Sequence, residues 1–248
     1  MENAPLIGLS RQIALRRQLD VVANNIANLN TTGFKAEMML FEDSIMPLAS
    51  DETFPLADRD VHYTADWATL HDFEPGAIDQ TGGLFDLALE GPGFLTVQTQ
   101  QGLAYTRNGS LHVDSGGTLV TADGDPVLSD SGTVVFASNE TDIRFGPDGE
   151  VLSSAGNKGR LAVVEFNDPQ TLIHVGGSLY QADAADPGHE AVETDVHHGM
   201  LERSNVTGVT EVAEMIRINR AYGLVSQMIQ RQDELRRNAI QKLGNVSA

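Results

Sequence analysis

Residues 20–37 read DVVANNIANLNTTGFKAE, and residues 21–34 of this stretch carry no charged side chain. The apolar spacing is helical, yet a helix exposed to water normally has charged residues on its outer face. That face here carries Asn24, Asn25 and Asn28, although Asn is a moderate helix former. Because a buried amide that can pair costs less than an unpaired buried charge, we predict that the face contacts protein. An ordinary globular core is the alternative that the residues leave open.

The apolar residues around this stretch predict a first helix from about Leu6 to Asn30. Five of them are spaced alternately by four and three residues, which is the 3.5-residue repeat of a coiled-coil seam. These seam residues are Leu15, Leu19, Val22, Ile26 and Leu29. Gly33 suits the left-handed position that commonly follows a helix, so we expect the helix to stop there.

A second helix is predicted at the other end of the chain, where Ser204 and Asn205 could cap its start. It closes with DELRRNAIQKLG (233–244), whose basic side chains lie where the helix macrodipole favours them. Its predicted seam residues are Val209, Val212, Ile216, Ile218, Tyr222, Val225 and Ile229. Burying so few apolar side chains offsets only part of the conformational entropy that is lost when the two helices become ordered. We therefore expect both helices to require contacts with other subunits.

The sequence between the helices is β-rich, with short apolar runs separated by Asn-Gly, Gly-Gly and Asp-Gly turn signals. The predicted fold class is α+β: terminal helices paired as a coiled coil, with an all-β, antiparallel, hairpin-rich middle domain. Irregular acidic and proline-containing segments flank the middle. The predicted domains are a helical polymerisation domain (1–34 with 204–248), extended connectors (35–80 and 181–203) and a β-rich outer domain (81–180).

The chain has 248 residues, 16 Lys and Arg and 35 Asp and Glu, which gives a formal net charge of −19. Neutralising phosphates requires clustered basic residues, so we predict no nucleic-acid partner. No apolar run approaches the roughly 18 residues of a membrane span, so no membrane insertion is expected. The charge is uneven, at +1 for residues 1–40, −22 for residues 41–200 and +2 for residues 201–248. The two ends therefore resemble each other and differ from the middle.

The chain contains no Cys, which excludes a disulfide framework and thiolate metal ligands. The opening MENAPLIGLSRQIALRRQ does not fit a signal peptide, because arginines interrupt the apolar run. Two expectations remain at this point: a cytoplasmic protein, or export by a route that needs no cleaved signal.

Motifs for catalysis are missing from the sequence. There is no G-x-S-x-G or H-E-x-x-H pattern, and the His197-His198 pair lacks the further ligands of a zinc site. Asp86 and Glu90 would lie about 13 Å apart on a strand, which is too far for the paired carboxylates of a glycosidase. We therefore predict that the protein is not an enzyme and has no catalytic, cofactor or metal site.

Several segments resemble one family. ANNIANLNTTGFK (23–35) resembles the N-terminal signature of bacterial flagellar axial proteins, which include rod, hook and hook-associated subunits. LFDLALEGPGFL (84–95) and YTRNGSLHVDSGGTLV (105–120) are similar to further blocks of this family. The segment at 199–223 resembles its C-terminal helix signature, with Gly223 where Glu is usual. The opening of the chain is more similar to the F type of proximal-rod subunits than to the distal-rod G type.

The resemblance implies a structural subunit of the flagellar basal-body rod, with the terminal helices inside a hollow helical tube and the β domain outside. It implies export by the flagellar type III apparatus without signal cleavage, a place in the periplasm, and transmission of motor torque to the hook. The implied partners are other rod subunits and further copies of the chain. The residues expected to contact neighbouring subunits are Asn24, Asn25, Asn28, Thr32, Gly33 and Phe34.

Two alternatives stay open. The chain could be a distal-rod or hook-type paralogue, or, more remotely, a secreted acidic cell-wall hydrolase. An enzyme would keep its function without the terminal helices, whereas a rod subunit would not. Arg107 is expected to anchor a β-hairpin or an inter-subunit acid pair.

Overall fold

The computed structural model describes residues 3–46 and 61–244 of the chain, and the side chains of residues 7–40 and 69–242. Two long helices, α1 (Asn3–Ala27) and α2 (Gly208–Gly244), stand at its ends, with short strands between them. A 3-10 turn, Pro169–Thr171, begins at Asp168, whose side chain accepts a hydrogen bond from the Gln170 N–H. The strands are β1 (Glu37–Met46), β2 (Val61–His71), β3 (Ile78–Gln80), β4 (Leu87–Glu90), β5 (Phe94–Thr99), β6 (Gly102–Thr106), β7 (Leu111–Val113), β8 (Leu119–Thr121), β9 (Leu128–Ser129), β10 (Gly132–Thr133), β11 (Arg144–Phe145), β12 (Glu150–Ser153), β13 (Gly156–Arg160), β14 (Val163–Glu165), β15 (Ile173–Gly176), β16 (Leu179–Gln181), β17 (His189–Glu190), β18 (Asp195–His198) and β19 (Met200–Glu202).

The chain divides into two compact units. The helical unit comprises Met1–Ala27, Glu37–Leu70 and Thr207–Ala248, and the β unit comprises Asn28–Ala36 and His71–Val206. The terminal helices and the largely antiparallel β middle agree with the predicted fold class. The boundaries differ from the predicted domains, because residues 28–36 group with the β unit.

In the helical unit, α1 and α2 run antiparallel. Contacts link the start of α1 to the later part of α2 and the end of α1 to its beginning: the Gln12 amide donates to Ser226 Oγ at 2.8 Å and the Gln18 amide to Glu214 at 3.0 Å. Among the described residues, no helix is long and apolar enough to span a membrane.

Both inner helix ends differ from the prediction by a few residues. α1 ends at Ala27, and a turn follows in which the Thr31 N–H donates to the Asn28 carbonyl at 3.1 Å. Gly33 has the predicted left-handed backbone, with φ of 66°, but it lies beyond this turn. α2 starts at Gly208, so Ser204 and Asn205 do not cap it.

The segment 35–80, predicted as an extended connector, contains a two-stranded ribbon of β1 and β2. The prolines at 47 and 55 that favoured the connector fall between these strands, outside the described residues. The strands themselves include the β-favouring Phe41, Tyr63 and Trp67. Strand pairing satisfies the backbone groups that an unpaired connector would leave to water.

The β unit is built on a six-stranded sheet in the order β15-β16-β6-β5-β14-β17. Its described pairings are antiparallel, and the β5–β6 hairpin runs from Leu95 opposite Thr106 to Thr99 opposite Gly102. The segment 181–203, predicted as a connector, also contributes strands, because β18 pairs with β4 and β19 pairs with β3. Most of the short apolar runs in this region form strands, whereas the run TVVFAS (133–138) supplies Val134 and Phe136 to the core from a mostly irregular segment.

Candidate functional site

The contact between α1 and α2 is an apolar cluster. Leu15, Val22 and Ile218 are buried to 3%, 5% and 1% exposure. The half-buried residues packed against them are Leu19, Ile26, Met215, Ala221 and Val225. Six of the predicted seam residues therefore meet here: Leu15, Leu19, Val22, Ile26, Ile218 and Val225. Met215 and Ala221 were missed, although a 3.6-residue count centred on Ile218 would have included them.

The predicted seam is wrong at the start of α2. Val209, Val212 and Ile216 are 83%, 47% and 47% exposed. At about 100° per residue, they lie about 120–180° around the helix from Ile218, on its far side. Tyr222 is closer to the packed face but remains 42% exposed, and Leu29 lies past the end of α1. The error arises because the prediction joined Val209, Val212 and Ile216 to the repeat that begins at Ile218, although the two groups lie on different faces of the helix.

Two glycines in the helices have different surroundings. At Gly8, an added Cβ would stand 2.9 Å from Ile229 Cγ1, so Gly8 allows α1 and α2 to approach closely there. At Gly223, an added Cβ would meet no heavy atom within 4 Å. The departure from the family pattern at Gly223 therefore changes no described packing contact.

Both helices carry a second apolar face. On α1, Leu9 and Ile13 are each 51% exposed, and they lie about 120–160° around the helix from Leu15. On α2 the second face consists of Val209, Val212 and Ile216. Apolar residues in rows on both outer faces are unusual for a monomer, because exposed rows of this kind mark contact surfaces. We call these five residues the outer helix faces.

Asn25 has a role inside the helical unit. Asn25 is only 3% exposed, and the oxygen and the nitrogen of its side-chain amide both bind the backbone of Glu37. The Glu37 N–H donates to Asn25 Oδ1 at 2.9 Å, and Asn25 Nδ2 donates to the Glu37 carbonyl at 2.9 Å. Asn24 and Asn28 are half-buried. Asn25 therefore makes an internal contact. The contacts of Asn24 and Asn28 with neighbouring subunits stay predictions.

The loop after α1 packs tightly inside the β unit. The Gly33 N–H donates to the Glu202 carbonyl at 2.9 Å, and an added Cβ on Gly33 would lie 2.4 Å from the Arg107 carbonyl carbon and oxygen. Phe34 is 3% exposed, whereas Thr32 is half-buried. Gly33 and Phe34 were predicted to contact other subunits; the structure gives them internal contacts, and any role between subunits remains a prediction.

Three charged side chains are buried together in the β unit, and we call them the ion cluster. Lys35 Nζ lies 2.7 Å from Glu202 Oε1, and Arg107 Nη1 lies 3.5 Å from Glu202 Oε2. Their side chains are 0–2% exposed. Arg107 was expected to anchor a β-hairpin or an inter-subunit acid pair, whereas the structure pairs it with Glu202 of the same chain.

Backbone groups supply further partners of the ion cluster, whereas Arg107 Nε and Glu202 Oε2 have no hydrogen-bond partner among the described residues. Lys35 Nζ donates to the Glu74 carbonyl at 2.8 Å, and the Gly76 N–H donates to Glu202 Oε1 at 2.8 Å. Arg107 Nη2 donates to the Gly91 carbonyl at 2.5 Å, and its guanidinium lies 5.0 Å from the centre of the Phe94 ring. Cations over an aromatic face are attracted by the ring. Buried charges with this many partners hold their segments in one geometry.

Burial lowers the pKa of the Lys35 ammonium, and the Glu202 carboxylate opposes that shift without cancelling it. Burial likewise lowers the pKa of Arg107, again against the pull of Glu202. The cluster has two cations and one anion, so Glu202 is the residue that makes burial of both cations tolerable. Sequence reasoning missed the cluster because Lys35 and Glu202 are 167 residues apart.

The residues weighed for catalytic or metal sites pair with nearby groups of the β unit. His197 Nε2 lies 2.6 Å from Glu90 Oε2 across the β18–β4 pair, and His198 Nε2 lies 2.9 Å from the Leu84 carbonyl. Asp86 Oδ2 accepts a hydrogen bond from Thr81 Oγ1 at 2.5 Å. These pairs tie neighbouring segments together.

Comparison with known proteins gives three family matches along the chain. Residues 6–35 match the family "Flagella basal body rod protein", and residues 88–153 match "Flagellar hook protein FlgE/F/G D1 domain". Residues 197–242 match "Flagellar basal body rod FlgEFG protein C-terminal". Each match contributes one member of the ion cluster, namely Lys35, Arg107 and Glu202. The cluster is therefore where the three family segments meet.

Curated relatives match over the full length. "Flagellar basal-body rod protein FlgF" of Caulobacter vibrioides is 39% identical over 250 residues, covering 100% of both chains. The FlgF protein of Mesorhizobium japonicum is 27% identical over 253 residues, with 100% coverage of both. "Flagellar basal-body rod protein FlgG" of Bacillus subtilis is 31% identical over 259 residues, covering 96% of this chain and 97% of the relative.

Proposed function

The chain belongs to the flagellar basal-body rod proteins, structural subunits and not enzymes, and on this premise we propose that it is a proximal-rod subunit that polymerises through its terminal helices. F-type relatives and the opening of the chain support the proximal position over the distal one. The alternative is a distal-rod or hook-type paralogue, which the G-type relatives at 28–32% identity support. The cell-wall hydrolase is set aside, since the family is structural.

One observation supports polymerisation above the others: each terminal helix has two apolar faces, and the α1–α2 contact covers one of them. The outer helix faces, Leu9 and Ile13 on α1 with Val209, Val212 and Ile216 on α2, are 47–83% exposed. Helices from neighbouring copies could bury them by ridges-into-grooves packing. A contact between two different faces does not close into a two-fold dimer, and where the rotation between neighbours does not close a ring it propagates as a helical polymer.

In this polymer the helix pair forms a coiled-coil inner layer of a tube, with the β unit outside. Asn24, Asn28 and Thr32 contact neighbouring copies, where amide and hydroxyl groups pair without burying a charge. The internal contacts of Asn25, Gly33 and Phe34 hold in place the segment that carries Asn24, Asn28 and Thr32. The tube crosses the periplasm and transmits motor torque to the hook.

The partners in this proposal are other rod subunits, further copies of the chain and the flagellar type III export apparatus. Export occurs without cleavage of a signal. The marginal stability of the helix pair suits both steps, because such helices unfold readily for transit and become ordered when neighbours cover them.

Introducing a charge on the outer helix faces tests the polymer contact. Val209→Glu is expected to abolish incorporation into the rod, because an unpaired charge buried at a contact costs about 3–5 kcal/mol, or roughly 100-fold or more in affinity. The stability of the monomer should change by less than about 0.5 kcal/mol, since Val209 is 83% exposed and a carboxylate near a helix start is favourable. Incorporation is measured by immunoblotting of purified basal bodies.

Val192→Glu is the matched control, because Val192 is also apolar and is 85% exposed, but lies in the β unit. It should leave incorporation and swimming unchanged. Normal incorporation of Val209→Glu, or equal loss in both variants, would contradict a polymer contact at the outer helix faces.

Electron microscopy of basal bodies from a strain lacking this gene tests the position in the rod. The proximal assignment predicts rods that stop before the distal segment, with no hook, because a helical polymer cannot extend past a missing layer. A strain with an intact proximal rod that lacks the distal rod alone would instead assign the chain to the distal paralogue.

A further inference from the structure

A row of apolar side chains on α2 belongs neither to the α1–α2 contact nor to the outer helix faces. Leu224, Met228 and Leu235 are 67%, 47% and 68% exposed. At about 100° per residue, they lie about 80–120° around the helix from Ile218, in the direction opposite to the outer face of α2. Arg217, seven residues before Leu224, lies on the same line. We call Arg217, Leu224 and Met228 the α2 row, and Leu235 continues it.

The outer face of α1 has the same spacing in reverse. Leu9 and Ile13 are each 51% exposed, and Asp20, also exposed, follows Ile13 by seven residues. All three lie within about 40° of one another around α1, and we call them the α1 row. The α1 row reads apolar, apolar, acid at steps of four and seven residues, whereas the α2 row reads base, apolar, apolar at steps of seven and four.

The two rows match when their helices run antiparallel, because the steps of about 10 Å and 6 Å along each axis then coincide. The aligned pairs are Asp20 with Arg217, Ile13 with Leu224 and Leu9 with Met228. A parallel arrangement would place Asp20 against the apolar Leu235, which leaves a carboxylate without an opposite charge in the contact. The charges therefore favour the antiparallel direction.

The two charged groups are available for each other. Arg217 Nε donates to Glu214 Oε2 at 2.7 Å, and Arg217 Nη2 pairs with Glu214 Oε1. A guanidinium has five N–H groups, so three are left on a side chain that is 60% exposed. The Asp20 carboxylate has no ion-pair or hydrogen-bond partner among the described residues. Both rows lie about 80–160° around their helices from the α1–α2 contact, so the two rows of one chain cannot meet.

We propose that the α1 row of one copy packs antiparallel on the α2 row of the next copy, with Asp20 bound to Arg217 across the contact. This rests on the proposed function, polymerisation through the terminal helices, and names the surfaces that meet. The apolar pairs supply buried area, and the charge pair sets direction and register. Each copy uses a different row toward each of its two neighbours, so the contact is heterologous, as a helical polymer requires.

Cysteine cross-linking in purified basal bodies tests the contact, and the chain gives a clean background because it contains no Cys. A chain with both Ile13→Cys and Leu224→Cys should form disulfide-linked dimers and longer ladders after mild oxidation, since aligned side chains in a close contact come within reach of a disulfide. Each single variant should stay monomeric on a denaturing gel. The matched control is Ile13→Cys with Ile216→Cys, which puts the second thiol on the outer face of α2 and should give no ladder.

The other outcomes overturn the proposal. Dimers in either single variant would show a two-fold contact, and a ladder in the Ile216 control would show that the α1 row meets the outer face of α2. Incorporation of the paired variant without cross-links overturns the inference alone, whereas absence of the wild-type chain from basal bodies would overturn the proposed function. Should the paired variant not incorporate, Leu9→Cys with Met228→Cys tests the same register four residues along, under the same criteria.

Exchange of the two charges is an independent test. Asp20→Lys should lower incorporation about tenfold or more, because like charges then meet across the contact. Arg217→Glu should do the same, and the two changes together should restore most of the wild-type amount. Asp233→Lys is the matched control, since Asp233 is an exposed acid about 160° around α2 from the α2 row, and incorporation should be unchanged. No recovery in the exchanged pair, with helices retained by far-ultraviolet circular dichroism, would overturn the pairing of Asp20 with Arg217.

Discussion

Replacing Glu202 with Gln is expected to lower the free energy of unfolding of the β unit by about 3–5 kcal/mol. Gln has nearly the same shape, so packing is retained while the one anion of the ion cluster is lost. Lys35 and Arg107 then remain buried without their paired carboxylate, at 0–2% side-chain exposure. Denaturant unfolding followed by near-ultraviolet circular dichroism of the buried Tyr105 and Tyr180 measures the change.

Glu190→Gln is the control, because Glu190 pairs with Arg160 at 3.0 Å with its side chain 80% exposed. Exposed pairs contribute about 0–1 kcal/mol, so this variant should be nearly neutral. The double variant Lys35→Met with Glu202→Gln should regain part of the loss, since it removes one of the two buried cations. Equal losses of unfolding free energy in Glu202→Gln and Glu190→Gln would show that the ion cluster contributes no more to stability than an exposed pair.

Replacing Gly33 with Ala is the second change expected to be severe, with a loss of about 2–5 kcal/mol in the same unit. The added Cβ would lie 2.4 Å from the carbonyl group of Arg107, and backbone cannot move aside as a side-chain tip can. The loop would shift and weaken the hydrogen bond from the Gly33 N–H to the Glu202 carbonyl. The same denaturation experiment measures the loss.

Gly82→Ala separates the clash from the backbone angle. Gly82 has φ of 70°, close to the 66° of Gly33, but a Cβ added to Gly82 would meet no heavy atom within 4 Å. Only the left-handed backbone cost of about 1–2 kcal/mol applies there. If the two variants lost the same stability, the contact between Gly33 and Arg107 would not be the reason for the glycine.

Local patterns predicted the helices and most of the strands, because spacing and turn residues act over a few positions. Leu15, Leu19, Val22 and Ile26 repeat along one face of α1, and each reaches the α2 contact. The same rule failed at Val209, Val212 and Ile216, because the repeat identifies an apolar face without identifying what covers it. The β1–β2 ribbon was missed because strand pairing depends on a partner that local sequence does not name.

The internal roles of Asn25, Gly33 and Phe34 were also beyond local reasoning. An uncharged helix face predicts contact with protein, and Asn25 does meet protein, but within its own unit. Of the ion cluster, only Arg107 was expected to pair with an acid, because Lys35 and Glu202 are far apart in sequence and look like surface charges. Only the fold brings them together.

The ion cluster has a practical consequence for hybrid proteins made from two relatives. A crossover anywhere between residues 36 and 201 takes Lys35 from one parent and Glu202 from the other, and Arg107 follows one of the two. Such a hybrid keeps its buried charges paired only if both parents have matching charges at these three positions. Exchange of residues 71–206 together with residues 28–36 avoids the problem, because the whole cluster then comes from one parent.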